Sequence, residues 1–302
     1  MAFAFTRRSN VQAQVRRIAI EQIESALAES HSDADFDKMV HGLRRRCKKL
    51  RGLLRLIEPR FAGFKTENQA VRAAAAGLSG TRDAAVMKAT FSALLEFDGA
   101  EKRAGRIEKG LADAVSVMLD LGAASPAEDA GPEQLLADFR TIMGQAGKRA
   151  KAWSIGEHGF AALGPGLELT YTRMAKGLKT ARSDGDAVAM HDWRKHTKYH
   201  WHHVSLLRHA APDMLHGQIE ALDQLGELLG DHHNLHVLGE HLRARSDAFE
   251  AGEVEAIEEA IVANQADLAG RAFALGQQLT AEKPGVLRRR FDHYWHLLPE
   301  KA

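Results

Sequence analysis

The chain has 302 residues, 45% of them hydrophobic, which is enough for one large or two ordinary domains with a real core. Its 41 basic and 40 acidic residues leave a net charge of +1, so whole-molecule attraction to nucleic acid or an anionic membrane is not expected. A single cysteine excludes a disulfide framework and a Cys-rich zinc site, and no apolar run approaches transmembrane length; a cytosolic protein is the expectation.

In chain order, the first helix is predicted from Val11, Val15, Ile18, Ala19, Gln22, Ile23 and Leu27, which keep helical spacing. The second follows a cap at Asp33 or Asp35 and stops before Pro59. Ala-rich helices are expected around 66–79 and 81–97, then one around 100–120. A turn-rich loop at 124–132 precedes a helix at 133–153 and a Gly/Pro-interrupted connector at 156–166. A second set is predicted at 167–182, 186–209, 213–229, 232–247, 252–279 and 285–298. Period-two alternation is absent and aromatics make up only 6%, so the fold class read from sequence is all-α.

The second helix contains VHGLRRRCKKLRGLLR (40–55), with seven Lys/Arg and no carboxylate. At about 100° per residue, His41, Arg44, Lys48, Arg51 and Arg55 share an arc of roughly 80° along about 21 Å. Leu43, Cys47, Leu50, Leu54 and Ile57 form the adjacent apolar stripe, which places Cys47 in the core. Arg45, Arg46 and Lys49 lie beyond both. A ladder of cations beside a buried face predicts the wall of a groove that binds a polyanion.

The pattern recurs. MHDWRKHTKYHWHHVSLL (190–207) aligns with VHGLRRRCKKLRGLLRLI (40–57) at an offset of 150, pairing His41 with His191, Arg44 with Arg194 and Lys48 with Lys198. LSGTRDAAV (78–86) aligns with LGDHHNLHV (229–237) at an offset of 151, with Arg82 facing His233 and Asp83 meeting Asn234. Asp83 and Asn234 suit either orientation of a basic neighbour or a helix cap. Two matches in one order predict duplicated halves, 1–155 and 156–302, packed about a pseudo-twofold axis with both ladders facing one cleft.

A basic helix with His, Arg three later and Lys seven later, given twice and followed by Leu-x-x-x-Arg-Asp-x-x-Val, resembles the CHAD family, the conserved histidine α-helical domain. The resemblance implies two helical-bundle halves around a basic central cavity and binding of inorganic polyphosphate, commonly at intracellular granules. By position it implies contacts from His41, Arg44, Lys48, Arg51, Arg55 and Arg82, and from His191, Arg194 and Lys198. Tyr171, Arg173, Lys176 and Lys179 fall on the basic helix preceding the second motif. The second half departs from the pattern: Trp201 stands opposite Arg51 and Ser205 opposite Arg55, while His200, His202 and His203 replace a run of arginines. His202 joins the expected binding set, beside the second ladder. Imidazoles titrate near pH ~6.5, which predicts affinity rising as pH falls from about 8 to about 6.

Thirteen of the 16 histidines lie between 191 and 296, and His196/His200 and His232/His236 have the i, i+4 spacing of metal-ligand pairs. Neither pair has an obvious third ligand, so neither a metal nor a cofactor is expected. No nucleophile constellation or Gly-rich phosphate loop is present, and the expectation is a binding protein rather than an enzyme. Two readings stand beside it: a metal-dependent phosphohydrolase using the second-half histidines, and a nucleic-acid-binding module. Few aromatics for base stacking weigh against the latter.

Overall fold

Helices make up the regular structure of the computed structural model, which describes residues 3–78, 83–100, 107–122, 131–249 and 252–300. The first set comprises α1 (Val11–Glu29), α2 (Phe36–Ile57), α3 (Phe64–Ala76), α4 (Asp83–Ala100), α5 (Lys109–Gly122) and α6 (Pro132–Ala150). The second comprises α7 (Gly164–Asp184), α8 (Ala187–Leu206), α9 (Pro212–Arg243), α10 (Glu253–Leu279) and α11 (Pro284–Leu297). No strand occurs among the described residues, as the missing period-two alternation predicts. No helix among them is long and apolar enough to cross a membrane.

Local chemistry sets the helix ends. Asp35, one of the two expected caps, accepts a hydrogen bond from the Lys38 amide at 3.2 Å, and Asp37 and Arg55 sit at the dipole ends that favour them. Gly185 closes α7 at φ 68°, and Asp186 then caps α8 through the Ala189 amide at 2.7 Å. One boundary differs from the sequence reading: 213–229 and 232–247 are not two helices but the first and last parts of the 32-residue α9. The glycine between them, Gly230, stays helical and serves as a smooth floor, with the Arg194 guanidinium 3.3 Å from where a Cβ would stand.

The two sets share a neighbour order: α1–α2, α2–α3, α1–α6 and α3–α6 pack together in the first, α7–α8, α8–α9, α7–α10 and α9–α10 in the second. They meet where α2 lies against α7 and α8, and where α4 lies against α9 and α10. Glycines permit the closest crossings. A Cβ on Gly166 would fall 1.9 Å from the Leu56 carbonyl oxygen, and one on Gly52 would fall 2.7 Å from the His202 Cβ. Across that second crossing, His203 Nε2 lies 3.1 Å from the Gly52 carbonyl. The apolar core is continuous through both sets. The first residues of the chain dock on the second set: the Phe5 amide donates to Leu206 at 2.9 Å, the Arg8 amide to Pro299 at 3.0 Å, and Phe5 packs edge-on against Trp295.

Candidate functional site

The apolar stripe of α2 is where its spacing predicts. Leu43, Cys47, Leu50, Leu54 and Ile57 are fully buried, and burial pushes the Cys47 thiol up to about 12. On the adjoining face His41 and Lys48 are exposed, while Arg44, Arg51 and Arg55 are half-buried. Arg44 donates to the Ala75 carbonyl at 2.9 Å, satisfying one of the orphan carbonyls that end α3. Arg51 donates to Asn68 Oδ1 at 3.2 Å. Further along, the Arg51 and Arg55 guanidiniums lie 5.7 and 5.2 Å from the ring centre of Tyr199 on α8, and Arg55 lies 5.2 Å from that of Phe64.

Arg173 of α7 reaches the same place. Its two terminal nitrogens donate to the Glu58 carboxylate at 3.1 and 3.3 Å, and Arg55 donates to Glu58 Oε2 at 3.0 Å. Beside them on α8, His196 is held down at about 4 by burial first, then by the positive charges of Lys195, Arg173 and Arg55. Two residues on, about 200° around α8, Lys198 donates to Glu227 Oε1 at 2.7 Å and to Asp223 Oδ1 at 3.2 Å, with its ammonium 5.6 Å from the Trp201 ring centre. The Lys198 hydrogen bond holds the Glu227 carboxyl below its ordinary value, and the positive charges of Arg194 and Lys48 add to this. Glu227 therefore marks where cations of the first ladder and the second approach one another.

Other expected contacts lie elsewhere. Tyr171 is fully buried and donates its hydroxyl to the Glu282 carbonyl at 2.7 Å, so it belongs to the core and offers no surface to a ligand. His202 is 7% exposed, wedged between the Phe3 and Trp201 rings at the α2–α8 crossing, and likewise has almost no surface. Lys176 lines a cleft of about 340 Å³ between α7 and α8 with Arg173 and His196, but Asp184, Asp186 and Asp192 share it. Lys179 is exposed and stands roughly 120° around α7 from Arg173. His191 is exposed at the start of α8, its ring centre 4.7 Å from that of His233. Arg82 lies outside the described residues. Asn234 lines a separate cavity of about 450 Å³ between α4, α9 and α10.

The expectation of histidines charging between pH 8 and 6 is corrected at His200, His202 and His203, which are buried in α8. Burial holds His200 and His202 at about 3 and pushes His191 and His203 below the ordinary imidazole range, with nearby cations adding to the effect. Among the described residues no three His, Cys, Asp or Glu side chains are arranged to hold a metal ion.

The sequence reading missed Glu58, Glu227 and Tyr199. Glu58 had a signal, as the first carboxylate after the basic run and three residues beyond Arg55. Gly226 and Gly230, spaced i, i+4 on α9, were a signal for the second ladder. A Cβ on Gly226 would fall 2.5 Å from the Lys198 stem, so these glycines make room for Lys198 and Arg194.

The CHAD domain profile matches residues 15–243. The crystal structure of the CHAD domain from the plant Ricinus communis matches with a TM-score of 0.59 over 97% of this chain and 95% of that one. Identity is 16%, so that likeness speaks for the fold. A search of curated proteins gives no match. With the family profile spanning α1 to α9 and the helical architecture matching end to end, the chain belongs to the CHAD domain family.

Proposed function

We propose that this CHAD protein binds inorganic polyphosphate without turning it over, along a band of cations running from Lys48, Arg51 and Arg55 on α2 to Arg173 on α7 and Lys198 on α8. The carrying observation is that two helices from sequence-distant sets deliver guanidiniums to one point beside a third: Arg51 and Arg55 of α2 over Tyr199 of α8, with Arg173 of α7 joined to Arg55 through Glu58. Guanidinium forks match phosphate oxygens in bidentate geometry, and a chain of phosphates presents them at a regular, dense repeat. With a net charge of +1, attraction must be local, which favours a ligand of high charge density that threads between fixed cations. Residence on intracellular polyphosphate granules is part of the proposal.

The test is the triple variant Arg51→Gln, Arg55→Gln, Lys198→Gln. Each lost charge-assisted contact is worth roughly 1.5–3 kcal/mol before solvent screening, so polyphosphate affinity should fall more than about tenfold while the far-ultraviolet circular dichroism is kept. Arg45 and Lys179 are exposed and point elsewhere, and their Gln replacements provide the matched control. A folded triple variant with undiminished affinity contradicts the reading.

A further inference from the structure

Glu58 interrupts the band of cations with a fixed negative charge. It is 17% exposed, and its two oxygens take three hydrogen bonds of 3.0 to 3.3 Å, one from Arg55 and two from Arg173. Those donors are the forks that a phosphate group would need. The carboxylate sits just past the end of α2, in the single 3-10 turn Glu58–Arg60 that Pro59 fixes. Its backbone is therefore anchored, and Leu56, two residues before it, is pinned under Gly166 of α7. The other end of the band has a looser arrangement: Glu227 and Asp223 pair with Lys198 but are 69% and 51% exposed, on a solvent-facing stretch of α9. Exposed pairs of that kind contribute little and give way readily, whereas Glu58 is enclosed.

We propose that Glu58 is a built-in competitor that makes the site discriminate by chain length. The inference rests on the polyphosphate reading. A short phosphate reaching Arg55 and Arg173 exchanges one anion for another at the same donors, so little is gained. A long chain also meets Lys48, Arg51 and Lys198, and those additional contacts offset the displacement of Glu58. Linked contacts make this second engagement effectively intramolecular. The carboxylate thus keeps the site closed to phosphate, diphosphate and triphosphate groups, and open to polymers. Glu58 is a specificity-determining residue, and it acts by occupying the arginines rather than by touching the ligand.

The experiment measures affinities of the full chain for tripolyphosphate and for long-chain polyphosphate, by calorimetry at fixed ionic strength, in wild type, Glu58→Gln and Glu58→Asp. Both ligands displace the same carboxylate, so Glu58→Gln should tighten tripolyphosphate and long-chain binding by similar factors, roughly tenfold, equivalent to about 1.4 kcal/mol, which brings tripolyphosphate into the measurable range. Glu58→Asp, whose shorter arm keeps the charge but loosens the contact, should tighten both by less. A merely structural salt bridge between α2 and α7 would lower the melting temperature without tightening either ligand. Should Glu58→Gln fail to fold, the affinities of Glu58→Asp decide. Unchanged or weaker affinities in the variants, with wild type binding long chains normally, overturn the competitor role and leave the polyphosphate reading standing. No binding of either ligand by wild type or variants overturns both.

Discussion

Arg55 contacts Glu58, Phe64 and Tyr199 at once, and this shows how a residue can be both structural and poised for a ligand. Its guanidinium lies over two aromatic rings while the side chain stays within reach of solvent at 19% exposure. The histidines of α8 are a contrast. His200 lies 5.2 Å from the Tyr171 ring with neither imidazole nitrogen bonded among the described residues, and it is fully buried. Its proton affinity is lowered to about 3 by burial, as is that of His202. Two consequences follow. His202 and His200 should add nothing to polyphosphate affinity as pH falls from 8 to 6, since these imidazoles are neutral throughout; a gain on acidification that is lost in His202→Gln, together with its proton uptake in buffers of different ionisation enthalpy, would contradict this. Stability should behave differently. The unfolded chain binds these protons near pH ~6.5 and the folded chain only near 3, so the unfolded state holds more protons in between. The stabilisation is complete above the unfolded value and is lost as pH falls toward 3. Urea midpoints should drop steadily from pH 7 to 4, and less so in His200→Leu.

At the scale of helices, α2 is the element most legible in the sequence. Its apolar stripe, its Asp35 cap and its stop before Pro59 all follow from residue spacing and backbone chemistry. What α2 packs against was less legible, because the expected cleft between ladders says nothing of backbone approach. Gly166 and Gly52 make the contact possible, and a glycine within a helix carries no hydrophobic signal. For the same reason Gly230 read as a break in what is one helix. Gly166→Ala should be severely destabilising, since its Cβ would meet backbone rather than a movable side chain. A loss of about 2 kcal/mol or more is expected, a fall in melting temperature of roughly 5 °C, and a melt within a degree of wild type would show that the crossing is looser than described.

Across the whole molecule, the histidine-rich composition of the second half pointed to titratable charge, whereas its histidines at the α2–α8 crossing are core. Composition counts charge-bearing residue types, but burial decides which carry charge. The acids were misread in the opposite sense. A basic run free of carboxylates is free of them only along the chain, and folding brings Glu58 and Glu227 to its cations. The family fold was legible because the His, Arg and Lys spacing occurs twice, in order, on helices that pack against one another. Polymer recognition by such an assembly depends on geometry more than on total charge. The most direct test is a titration of the wild-type chain with polyphosphates of defined length, using single-stranded RNA of matched phosphate number as competitor. The account predicts affinity that rises with polyphosphate length, weakens steeply with salt, and resists the RNA at equal phosphate concentration. Displacement by RNA at equal or lower concentration, or affinity independent of length, would contradict it.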